Sequence, residues 1–173
     1  MQSRDIAEKY SFSKWLKMKF YILAVANKLP NWINTAFTEY AKRLSQEVTI
    51  HLIEVKPEKR TSNKSTEQIL YAEYHRIKAA IPTGCRLIML DEHGAQWTTA
   101  QLAHTITNWM QEGRNTVFII GGADGLHNEI KSSVHGTFSL SKLTFPHGLV
   151  RVILSEQLYR AVTLIRNHPY HRI

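Results

Sequence analysis

The sequence predicts an α/β domain built on a mainly parallel sheet flanked by helices, and three observations carry that expectation. Strand-like apolar runs alternate with helical periodicities along the whole chain. Several runs are apolar almost throughout, as parallel strands buried on both faces are. Helix-start signals stand just ahead of the helical stretches.

The first run, Lys19 to Ala26, is β-rich and nearly all apolar, so it reads as a central strand. Asn31 stands where a helix cap belongs, ahead of a stripe of Ile33, Phe37, Tyr40, Ala41 and Leu44. Val48 to Val55 forms the second strand, and a polar, basic loop, PEKRTSNKS, follows it. Ser65 with Gln68 makes a capping box for a helix running to about Ala80. The third strand, Cys85 to Leu90, is expected to stop at Asp91, Glu92, His93 and Gly94. Thr98 with Gln101 repeats the capping box, and Gly113 closes that helix. Asn115 to Ile120 is a fourth strand leading directly into GGADGL. A short helix over 128–134, an extended piece over 137–140 and a final helix from about Leu149 to Arg166 complete the map. Open parallel sheets bind ligands beyond the carboxyl ends of their strands. That rule nominates the loops after Leu90, Ile120 and Leu140.

At 173 residues the chain is long enough for one domain with a real core. Its apolar runs fall far short of the roughly 20 residues a membrane helix needs, so a membrane protein is not expected. The lone Cys85 can form no internal disulfide, which fits a reducing cytoplasm. Lys and Arg number 22 against 14 Asp and Glu, for a net charge of +8 and a pI near 9.7. Such a balance favours a polyanionic partner, without choosing among RNA, DNA and acidic lipid. Residues 1–17 are basic and mixed, lack the apolar stretch of a secretory signal, and are expected to be an extension outside the core. A single domain is expected over 18–173.

Three segments carry chemistry. In IIGGADGL, Ile119 to Leu126, glycines leave a buried strand where a ligand can approach the backbone closely. The run is no P-loop, and Gly121, Gly122 and Gly125 do not have dinucleotide-fold spacing. In SLSKLTFPHGLVR, Ser139 to Arg151, hydroxyl residues and Pro146 feed a helix start, whose free N–H groups can hold polar ligand atoms. The tail NHPYHR, Asn167 to Arg172, gathers two histidines, a tyrosine and an arginine behind a proline stop. No H-E-x-x-H accompanies them, so stacking on a base and contact with phosphate suit Tyr170 and Arg172 better than metal.

Together these segments resemble the RlmH group of α/β-knot (SPOUT) methyltransferases over Met18 to Ile173. The group's K-x-P-x-W turn appears as Lys28, Pro30 and Trp32, and its G-G-x-x-G-L, L-T-x-P-H-x-L-V-R and N-H-P-Y-H-R motifs appear intact and in order. The resemblance implies a C-terminal trefoil knot, which departs from the rule that chains do not thread their own loops. It also implies a homodimer, an S-adenosylmethionine cofactor, and methylation at N3 of a pseudouridine in 23S rRNA of the large ribosomal subunit or assembled ribosome. By motif position, cofactor contacts fall on Leu90, Gly122, Ser141, Lys142, Leu143, Thr144, Phe145 and Pro146.

Methylating an imide nitrogen requires its proton to leave, so alignment and a proton acceptor are needed. His147, Tyr170 and His171 each qualify, and the sequence does not choose among them. Arg151 suits a phosphate or a uracil-type carbonyl. Asp124 either favours a sulfonium cation or caps the following short helix. Lys59 and Arg60, with Lys64, are expected on the RNA backbone together with Arg172. Two other functions fit the same motifs less well: a non-catalytic ribosome-assembly factor, and a knot methyltransferase acting on tRNA.

Overall fold

The computed structural model describes residues 17–44 and 48–170. Five strands, β1 (Met18–Val25), β2 (Val48–Val55), β3 (Arg86–Gln96), β4 (Thr116–Ile120) and β5 (Gly136–Ser139), form one sheet in the order β2-β1-β4-β3-β5. Every pairing is parallel, as the apolar runs predict.

Alternation along the strands sorts the core into two layers. Phe20, Ile22, Ala24, Ile88, Phe118 and Phe138 face α1 (Asn31–Arg43), α3 (Thr99–Glu112) and α5 (His147–Ile165). Leu23, Val25, Val55, Met89, Val117 and Ile119 face α2 (Thr66–Ala80) and α4 (Asn128–Ser133). After β5 at the sheet edge, the chain returns beneath the sheet, so that α5 packs on α1 and α3 and touches β1 and β4.

Local signals govern most helix ends. Both capping boxes form: Ser65 Oγ accepts from Gln68 N at 3.2 Å, and Thr98 Oγ1 accepts from Gln101 N at 3.1 Å. Gly113 closes α3 in the left-handed conformation, φ 68°. At the end of α5, Asn167 takes φ 54°, its N–H donates to Leu164 O, and the His168 N–H donates to Thr163 O at 2.9 Å. That is a Schellman motif with asparagine in place of glycine.

Three expectations need correction. Asn31 does not cap α1; it is the first helical residue, Pro30 holds the cap position, and no side chain caps the helix. Pro30 has φ −54° but an extended ψ of 145°, so it stands outside the first turn as the cap residue and Asn31 falls inside the helix. The final helix likewise begins at His147, after Pro146. Strand β3 does not stop at Leu90: it runs on to Gln96, with its pairing to β5 shifting register between Leu90 and Ala95. Gly94 makes this possible, because a Cβ there would come within 2.8 Å of Phe138 N.

Candidate active site

The three nominated loops, after Leu90, Ile120 and Leu140, converge on one cleft of about 570 Å³ at the carboxyl edge of the sheet. Leu90, Gly122, Ser141, Leu143, Thr144, Phe145 and Pro146 all line it. Lys142 does not; it lies exposed outside the lining.

The glycine segment closes on itself as a turn. Gly125 N donates to Gly122 O at 3.1 Å, and Gly125 takes φ 82°. Gly121 cannot carry a side chain, since its Cβ would meet Gly125 O at 2.8 Å. A Cβ on Gly122 would instead meet Val25 Cγ1 at 3.4 Å and Glu73 Oε2 at 3.6 Å. Gly122 thus offers its backbone to the cleft, and an added methyl group would point at the core.

The hydroxyl-rich loop is held by its own side chains. Ser139 Oγ donates to Ser141 O at 2.8 Å, and Ser141 Oγ accepts from Leu143 N at 2.9 Å. Thr144 Oγ1 donates to Glu92 Oε2 at 2.9 Å, which ties the loop to the extension of β3. Asp91, Glu92 and His93, in the stretch after Leu90 that the sequence nominated, therefore belong to the cleft wall, and Lys131 of α4 joins them although the sequence did not single it out. The His93 N–H, donating at 2.8 Å, holds the Asp91 carboxyl below the usual carboxylate range, with a further contribution from the His93 ring.

His147 lines the cleft at the start of α5. Burial, followed by the charge of Arg151, pushes its pKa below the ordinary histidine value. Arg151, one turn further, is fully buried and outside the lining. Its Nη1 donates to Glu54 Oε1 at 2.8 Å, while Nε and Nη2 are buried without a partner among the described residues. Glu54 was not singled out from sequence; its signal is a carboxylate in the last turn of an apolar strand.

Tyr170 lies at the other end of α5. Its ring packs edge-on against Tyr159 with centroids 4.6 Å apart, and the Arg160 guanidinium sits 5.1 Å from its centroid. Desolvation, then the Glu156 charge, raises the phenol pKa. His171 and Arg172 lie outside the described residues. In the basic loop, Lys59 is exposed, Lys64 pairs with Glu58, and Arg60 pairs with Asp124. Asp124 does not cap α4: His127 does, its Nδ1 accepting from Glu129 N at 3.1 Å.

A parallel α/β sheet with a glycine turn and a hydroxyl-rich loop around one strand-end cleft defines a ligand-binding α/β protein. A family model described as "Predicted SPOUT methyltransferase" matches residues 18–171. The chain belongs to the SPOUT methyltransferase family, whose methyl donor is S-adenosylmethionine. It is similar to proteins named "Ribosomal RNA large subunit methyltransferase H": 55% identical to that of Nitrosospira multiformis and 56% to that of Nitrosomonas eutropha, each over 90% of this chain and 99% of the relative. A solved structure of a probable methylase family protein from Haemophilus influenzae Rd KW20 superposes with a TM-score of 0.53 at 13% identity, over 91% of this chain and 71% of its own. That likeness concerns the fold.

Proposed function

We propose that this chain is an S-adenosylmethionine-dependent methyltransferase that modifies N3 of a pseudouridine in 23S rRNA of the large ribosomal subunit, working in the cytoplasm as a homodimer. The observation that carries the reading is the convergence of the glycine turn, the hydroxyl-rich loop and His147 on one cleft. The names of its relatives, which specify the large-subunit RNA, favour rRNA over tRNA. No helix among the described residues is long and apolar enough to cross a membrane.

The cleft suits the cofactor chemically. Leu90, Ile120, Leu126 and Phe138 supply apolar walls, backbone and hydroxyl groups supply hydrogen bonds, and Asp91 and Glu92 supply negative charge toward a cationic ligand. When bound there, S-adenosylmethionine supplies an electrophilic methyl group.

The protein's own part is to align the nucleotide and accept the N3 proton. His147, kept neutral by burial and by Arg151, has a free imidazole lone pair near neutral pH and serves as the base. Arg151 acts through His147, held in place by Glu54, and touches neither ligand. Tyr170, with its raised pKa, stays protonated and contributes stacking and hydrogen-bond donation. Helix α5 spans 19 residues, about 27 Å at roughly 1.5 Å per residue, so the tail of one chain serves the cleft of its partner. The knot implied by the family concerns the segment leading into α5.

Transfer of labelled methyl groups to ribosomes from cells lacking this protein, with mass spectrometry of the modified nucleotide, tests the assignment. Label at N3 of a 23S pseudouridine is expected. Label confined to tRNA, or no transfer at all, would overturn it.

A further inference from the structure

Within residues 121–125 the only side chain larger than a methyl group is that of Asp124. Gly121, Gly122, Ala123 and Gly125 all line the cleft, whereas Asp124 does not. Its Oδ2 instead accepts from Arg60 Nε at 2.9 Å and from Arg60 Nη2 at 2.6 Å. A glycine-rich turn has many backbone states open to it, and here a single side chain ties it to the loop between β2 and α2.

That loop is itself anchored. Glu73 of α2, buried at 2% exposure, accepts the Glu58 N–H at 2.9 Å, and the Glu58 carboxylate pairs with Lys64 and Arg76. A Cβ on Gly122 would lie 3.6 Å from Glu73 Oε2, so the glycine turn runs beside the same buried carboxylate that anchors the loop. Lys59, next to Arg60, has no ion pair or hydrogen bond among the described residues and is exposed.

We propose that Arg60 is a positioning residue for the cofactor: through Asp124 it holds the glycine turn in the shape the cleft requires, while Lys59 alone of this pair meets RNA phosphate. The inference rests on the reading of the cleft as the S-adenosylmethionine site, and it departs from the expectation that placed both cations on RNA. An exposed ion pair shifts an equilibrium by up to about fivefold. The effect should therefore be modest but confined to one ligand.

The test measures calorimetric Kd for S-adenosylmethionine, KM for each substrate, and the salt dependence of RNA binding. Arg60→Ala and Asp124→Asn should each raise the cofactor Kd about three- to fivefold, leaving the RNA KM and its salt slope in place. The two changes combined should cost no more than either alone, and the swap of Arg60→Asp with Asp124→Arg should recover affinity. Lys59→Ala should do the opposite, weakening RNA binding and reducing the salt slope by about one. Arg60→Ala that weakens RNA binding with an unchanged cofactor Kd would overturn the inference, as would equal losses toward both ligands with a lowered Tm. Wild-type protein that binds no S-adenosylmethionine would remove the cofactor reading and this inference with it; wild-type binding matched by every Arg60 variant would remove this inference alone.

Discussion

The two ends of α5 carry the two halves of what the sequence presents as one set of functional residues, and they differ in almost every respect. At the amino end, His147 opens onto the cleft and Gly148 is buried against Ile33 and Leu29. At the carboxyl end, Tyr170 packs on Tyr159 and Arg160, close to Tyr40 and Arg43. The electrostatics are opposite too: burial lowers the histidine pKa and raises that of the tyrosine. Both groups are therefore neutral near pH 7. Within one chain, the 19-residue helix α5 keeps His147 and Tyr170 apart, so neither passes a proton directly to the other.

The sharpest way to break this comparison is to remove one end. Ending the chain after Asn167 should leave cofactor binding intact and lower methyl transfer by at least about 100-fold, the lower range for loss of groups acting in the transition state. Mixing that truncation with His147→Ala should partly restore activity, since a heterodimer can join an intact cleft to an intact tail. Subunit exchange without restoration would show that each site is built from one chain.

Glu54→Ala tests what holds the amino end. It strips the only carboxylate partner among the described residues from a guanidinium that is 0% exposed. Breaking a buried pair costs about 3–5 kcal/mol. The Glu54 side chain is 51% exposed, so solvent reduces the expected loss to about 2 kcal/mol. Chemical denaturation measures it, and an unchanged midpoint would show that the pair is not structural.

A smaller effect distinguishes the base. Activity should fall as acid protonates His147, at a pH below the ordinary histidine value of about 6.5. Arg151→Met removes the positive charge that helps depress that pKa, so the acid limb of the kcat profile should move to higher pH. A limb that stays in place would separate His147 from proton transfer. The smallest expected effect is none: a chain beginning at Met18, where the family match starts, should equal the full chain in Tm and methylation rate.

The capping boxes at Ser65 and Thr98, the left-handed Gly113 and the apolar composition of the buried strands were legible because each is written in a few contiguous residues. The loops after Leu90, Ile120 and Leu140 were legible as a site for a related reason: parallel connectivity places all carboxyl strand ends on one edge. The extension of β3 past Leu90 was not, because it depends on pairing with β5, more than 40 residues away in sequence.

Sequence alone determined the α/β class, the family and the motifs that surround the cleft, since these are written in local periodicity and contiguous residues. Only the tertiary structure decided which charges are spoken for. Arg60 turns to Asp124, Arg151 to Glu54 and Thr144 to Glu92 across separations of 64, 97 and 52 residues. Pairings at that distance are set by how the strands order in the sheet and where α5 returns beneath it, which no local pattern encodes.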